Sequence, residues 1–332
     1  MSSRKIVTII AVVVAAGLLS LTRPARAEMS ADQVLADLGV SAADKQRVLS
    51  GEFVTGEVTP VSDRDLSISI IFLIKASPAE LAEQVVGGDF VRDDPQVMAS
   101  GEFKGAGSLA DLAGLTIDAA MAKTLASAKA GTALNLSTNE IAAFKALQDT
   151  APAAVGKQLQ QTLLGRFQAY QASGLAGIAP YDRGGANSDV AADLRKASDA
   201  TAGLKKYLPT FQKALLDYPR GTAPGMQQLS RWLKYDIDGT ITFVLAHMLV
   251  ASDGEARAVV QRQYYASTGY NAEQAVAGFL PAEQGTVVVY ANHTFTDQVS
   301  GFGGSAKRGI GRKMMASKLR EMFDRVRNEA AR

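Results

Sequence analysis

The chain has 332 residues, of which 47% are apolar, with 35 Lys/Arg against 33 Asp/Glu, two His and no Cys. Four of the cations and none of the acids fall in residues 1–27, so the rest carries 31 positive and 33 negative side chains and is slightly acidic. That balance excludes a general nucleic-acid binder, which needs a basic face over the whole domain. The missing thiols exclude Cys nucleophiles, Cys-based metal sites and disulfide staples.

Residues 1–27 read as a secretory signal. Arg4 and Lys5 precede an apolar run from Ile6 to Leu21, then Pro24 and the small-residue site Ala25-Arg26-Ala27. The alternative is a retained anchor, but the run has 16 residues, short of the ~20 that span a bilayer. The expectation is an exported protein, periplasmic or extracellular, cleaved near Ala27. Residues 28–332 are expected to form one domain.

Two helix starts open this domain, Ser30 with Gln33 and Ser41 with Asp44, and Gly51 closes the second. A strand is predicted over Glu52–Val58 and a stronger one over Leu66–Ile74, an unbroken β-branched and aromatic run. Ser77, Pro78 and Glu80 then set the start of a helix to about Val86, and Asp93-Asp94-Pro95 marks a turn. Residues 117–220 are rich in Ala, Gln, Leu and Lys at helical spacing. Within them Ser137 and Glu140 cap a helix to about Gln148. Val155, Leu159, Leu163, Phe167 and Tyr170 mark the buried face of a longer helix. Residues 174–185 form a loop, with further helix at Ser188–Leu204 and Pro209–Leu216. Strands return at Thr240–Val250, Glu255–Ser267 and Gly285–Asp297, the first two joined by Ser252-Asp253-Gly254. Asn271–Leu280 fits either a short strand or an irregular arm, and Trp232 falls just before the sheet. Ile310 to about Asn328 is a closing helix with an apolar stripe of Ile310, Met314, Met315, Leu319, Met322, Phe323 and Val326. The fold class is therefore α+β: an antiparallel sheet, a long C-terminal helix packed on it, and a largely helical insertion at about 117–220.

The text Gly285-Thr-Val-Val-Val-Tyr-Ala-Asn-His-Thr-Phe, followed by the last helix, resembles the helix-grip arrangement of START-like and Bet v 1-like proteins. The strand–helix unit near Ile68–Val86 fits the opening of that fold. The resemblance covers at most residues 52–90 and 232–328, and the helical block departs from it. It implies a cavity between sheet and helix that holds a hydrophobic ligand. The whole chain also resembles a family of exported proteobacterial proteins, which adds no chemistry.

Strand alternation places His247 with Ile241, Phe243, Leu245 and Leu249, and His293 with Val287, Val289, Ala291 and Phe295. Both imidazoles are thus expected on an apolar side of the sheet, as satisfied core histidines, as polar anchors in a cavity, or as a catalytic pair. Asp297 lies about 13 Å along the strand from His293, too far for a dyad. Asp236-Ile237-Asp238-Gly239 opens like a calcium loop, but His247 stands where the closing Glu belongs. Gly301-Phe302-Gly303-Gly304 mimics a dinucleotide fingerprint with no room after it for a second parallel strand, and is read as a flexible turn. No nucleophile elbow is present.

The candidate ligand-binding residues are His247, His293, Tyr265, Met315 and Met322. Neither cofactor nor metal is expected. Residues 305–332 carry nine cations and three acids, so Arg320, Arg325 and Arg327 are candidates for contact with an anionic membrane surface. The leading functional expectation is an exported, non-enzymatic protein that binds a hydrophobic or amphipathic small molecule or lipid. An envelope hydrolase using a sheet histidine and an interaction protein docking through its basic helix are the alternatives.

Overall fold

The structure is a computed structural model that describes residues 29–329 apart from 57, 132 and 302; the expected signal at 1–27 lies outside the described residues. The chain enters through α1 (Ala31–Asp37) and α2 (Ala42–Leu49), whose caps Ser30 and Ser41 accept from the backbone N–H of Gln33 and Asp44. A short strand β1 (Val54–Gly56) leads to β2 (Asp65–Ile74). Helix α3 (Pro78–Gly87) starts on the Ser77–Glu80 capping box and ends on Gly88 in the left-handed region. A single turn, α4 (Asp89–Arg92), and an unanticipated strand, β3 (Val97–Glu102), come next.

The helical block holds α5 (Ala119–Ala126), α6 (Thr138–Lys145), α7 (Pro152–Ser173), α8 (Val190–Ala200), α9 (Ala202–Tyr207) and α10 (Pro209–Leu216). A small hairpin, β4 (Tyr181–Asp182) with β5 (Asn187–Ser188), interrupts it. Five strands then run as a meander: β6 (Gln227–Ile237), β7 (Thr240–Asp253), β8 (Ala256–Ala266), β9 (Ala272–Ala282) and β10 (Gly285–Phe295). The last helix, α11, spans Gly304–Glu329.

Four expectations change here. Trp232 lies inside β6, not before the sheet. The segment that fitted either strand or arm is the full strand β9, and the helix expected over Ser188–Leu204 is two helices meeting at Thr201. The last helix begins six residues earlier than Ile310, so Gly304 is its first residue.

The chain is α+β. Eight antiparallel strands form one sheet in the order β1-β2-β10-β9-β8-β7-β6-β3. Asp238 and Gly239 both take positive φ, 51° and 83°, which is the two-residue hairpin that joins β6 to β7; the Asp-rich text read against calcium loops is this turn.

Both faces of the sheet are covered. On one face Ile68, Ile70, Phe72 and Ile74 of β2 pack with Met248, Val259, Phe279 and Val288 against α3 and α11. On the other, α1, α2, α9 and α10 cover Ile71, Leu73, Leu249, Val260 and Val287 at one end. Helices α5–α8 cover Trp232, Phe243, Leu245, Tyr264 and Tyr265 at the other end. All ten residues of β2 are buried, which is why its second half, Ile70–Ile74, is apolar on both faces; the first half alternates, with Asp65, Ser67 and Ser69 buried among the apolar residues.

Candidate functional site

Between the sheet and α11 lies a cavity of about 310 Å³. Its floor comes from β2, β10, β9 and β8, one side from Leu81 and Val85 of α3, and its roof from Met315, Leu319, Met322, Phe323 and Val326 of α11. Phe323 closes one end, with its ring centroid 4.5 Å from that of Phe72 and 5.1 Å from that of Tyr290, edge-on to the tyrosine. At this end the walls are apolar.

The other end is polar. Glu273, Gln261, Gln263, Asn292, Tyr235 and Tyr270 line it. The β-ladder brings them together: Glu273 pairs with Gln263 on β8 and with Thr294 on β10. Gln263 Nε2 donates to Glu273 Oε1 at 3.3 Å and Thr294 Oγ1 to Oε2 at 3.1 Å. Tyr270 donates its hydroxyl to Gln263 Oε1, and Asn292 Nδ2 donates to the Tyr290 hydroxyl at 3.1 Å. No cationic side chain pairs with Glu273 among the described residues. Burial pushes its carboxyl above the usual range, against the opposing pull of the Asn292 and Thr294 hydrogen bonds. Burial raises the Tyr290, Tyr235 and Tyr270 hydroxyls as well, so these remain neutral donors.

The five candidate residues divide between the two faces. Met315 and Met322 line this cavity. Tyr265, His247 and His293 do not: they point to the opposite face. Tyr265 is fully buried in the core under α7, 4.3 Å below the Arg166 guanidinium, which is itself paired with Glu140 at 2.6 Å. Alternation correctly predicts an apolar setting for both histidines but not which one, because both faces of this sheet are apolar.

His247 is a satisfied core group. The Tyr170 hydroxyl accepts from Arg262 Nη1 at 3.1 Å, so its own proton goes to His247 Nδ1 at 3.0 Å. Nε2 therefore carries the ring proton and donates to Gln228 Oε1 at 3.2 Å. Burial, with Arg262 adding to it, drives the imidazole pKa down to about 3. With both nitrogens committed and no exposed edge, His247 has no lone pair to offer a substrate. Arg262 is fully buried without a carboxylate; Tyr170, Ser198 Oγ, Gln274 Oε1 and the Leu215 carbonyl take its protons.

His293 is different. Its Nδ1 lies 2.8 Å from Asp65 Oδ2, and Asp65 is fully buried at the start of β2. Asp65 is the residue that sequence reasoning missed: 228 positions separate it from His293, and only the β2–β10 register joins them. Glu273 was missed for the same kind of reason, since its strand could not be told from an irregular arm.

The basic end of α11 is partly engaged. Arg320 donates to Thr55 Oγ1 at 2.8 Å, and Arg327 donates to the Gly51 carbonyl at 2.7 Å and stacks over Phe53. Arg325 remains exposed. Ile310 and Met314, expected in the buried stripe, are 62% and 57% exposed; at this end of the helix Gly311, not they, lies against Leu66 of β2. Among the described residues no cluster of three or more metal-binding side chains occurs, and no helix is long and apolar enough to cross a membrane.

No protein-family model matches the chain, and no curated protein and no solved structure is significantly similar to it.

Proposed function

We propose that this is an exported, non-enzymatic protein that binds an amphipathic small molecule or lipid between the sheet and the last helix. The observation that carries the proposal is the polarity of the cavity. Apolar walls occupy one end, and a half-buried carboxyl, with no cation paired to it among the described residues, sits among amides and phenols at the other. Its volume lies at the low end of the ~300–1,000 Å³ usual for ligand pockets. The ligand is thus a small one, with an apolar body against Phe72, Phe279 and Phe323 and a hydrogen-bond-donating head at Glu273. The helix-grip resemblance of the closing strands and helix supports the same reading. Loading from an anionic membrane is part of the proposal, with Arg325, Ile310 and Met314, exposed at intervals along α11, as the residues that approach it.

Native mass spectrometry of the purified protein, before and after organic extraction, tests the reading together with uptake of a dansyl-labelled alkylamine. Uptake is expected, weakened at least tenfold in Glu273→Gln and abolished in Leu319→Trp, which fills the cavity. Protein that takes up no probe, or binds it equally well in both variants, would overturn it.

A further inference from the structure

A second cavity lies on the opposite face of the same sheet. It measures about 290 Å³ and is bounded by β9, β10, α1 and α9. Ala277 touches both spaces, so they sit back to back across β9. Its walls are mainly apolar, with Val34, Leu204, Leu208, Val276, Leu280 and Val289, and Thr59, Ser69, Thr201 and Tyr207 add hydroxyls. Among them stands one imidazole, that of His293, only 6% exposed.

The hydrogen bonding of that ring is incomplete. Nδ1 is held by Asp65 Oδ2, which also accepts the Val61 N–H at 2.8 Å. In the neutral ring the carboxylate takes the Nδ1 proton and Nε2 keeps its lone pair. No described residue bonds Nε2. Nε2 faces the space that His293 lines, and beside it the second carboxyl oxygen of the pair, Asp65 Oδ1, is buried and without a partner. A buried polar atom with no partner costs roughly 1–3 kcal/mol, and every other imidazole nitrogen in the protein is satisfied. The contrast with His247 makes His293 the exception in need of a ligand.

We infer that the space beneath α1 and α9 is a second binding site, for an apolar molecule ending in one hydroxyl-bearing group, with His293 Nε2 as the acceptor and Asp65 holding the ring. An alcohol would donate its O–H to Nε2. A carboxylic acid would pass its proton to Nε2, leaving an imidazolium between two carboxylates. Both are the same recognition chemistry, and the charge state of the ring separates them.

The protein's two histidines allow a direct test. In 15N-labelled full-length protein, ring resonances are followed during titration with decanol and with decanoic acid. The expected result is a shift of His293 Nε2 by at least one probe, hydrogen-bonded with the alcohol or protonated with the acid, while His247 stays unmoved. His293→Gln should weaken binding at least tenfold. Gly278→Val supplies a variant that keeps the dyad: its added carbon would meet only the Val289 carbonyl oxygen, at 3.9 Å, inside this space, so it blocks the site within a strand that favours valine. An unshifted His293 with both probes, or binding that survives Gly278→Val, would overturn the inference. Unchanged His247 resonances certify the fold of each variant, and probe uptake at the first cavity is independent of all of these outcomes.

Discussion

The two histidines show how one residue type acquires opposite properties from its partners. His247 is neutral down to a pH of about 3, against an ordinary value near 6.5. Below pH ~6.5 the unfolded chain takes up a proton that the folded chain refuses, so stability is complete above that pH and is lost as pH falls toward 3. At 1.36 kcal/mol per pH unit the loss approaches ~5 kcal/mol, a large share of the ~5–15 kcal/mol of a typical fold. Urea unfolding between pH 7 and 4 should show the slope, and Tyr170→Phe, which removes the donor to Nδ1, should cost about 1–3 kcal/mol at pH 7. Glu273 has the reverse sign. Its raised folded pKa means the folded chain holds the proton more tightly, so its contribution is complete below about pH 4.5 and is lost as pH rises through the folded value. Glu273→Gln should therefore leave the urea midpoint unchanged at pH 4 and raise it at pH 8.

At the scale of elements, much was legible. The Ser77–Pro78–Glu80 start, the unbroken run of β2 and the face of α7 follow from local chemistry that needs no distant partner. Strands β3 and β6 were not legible. Val97–Glu102 contains Gly101 and Ser100, and β6 opens on two glutamines and carries Arg231 and Lys234. Such strands are held by their neighbours and by the packing of Trp232, whose indole N–H donates to the Asp111 carbonyl at 2.7 Å. The β9–β10 hairpin depends on Gly285, which has φ 135° and whose added carbon would lie 2.2 Å from the Ile74 carbonyl oxygen. Gly285→Ala should cost at least ~2 kcal/mol, read as a lowered urea midpoint, because strain and a backbone clash combine. In α11, Phe323→Ala should cost about 3–5 kcal/mol by the same measurement, since it opens the wall between Phe72 and Tyr290.

For the whole molecule, the helical block is not an ornament on the sheet. It covers Phe243, Leu245, Tyr264 and Tyr265, and its Asp193 chelates Arg64 through two contacts of 2.9 and 3.0 Å beside the start of β2. Replacing residues 109–216 by a short linker should abolish the cooperative thermal transition, measured by circular dichroism, because that face would then be exposed to water.

The amino-acid sequence by itself determined most of the local elements, the α+β class, the acidic balance beyond residue 27 and the closing helix, because each follows from spacing and composition. Only the tertiary structure decided which face each side chain serves. Alternation sorts side chains into two sets, and in this sheet both sets are apolar. It took the register of β2 against β10, and of β9 between β10 and β8, to separate Met315 and Met322 from the histidines, to place Asp65 on His293, and to gather Glu273, Gln263 and Thr294 at one end of a cavity. The β2–β10 pairing, with 228 positions between His293 and Asp65, depends on the whole fold, and no local pattern encodes it.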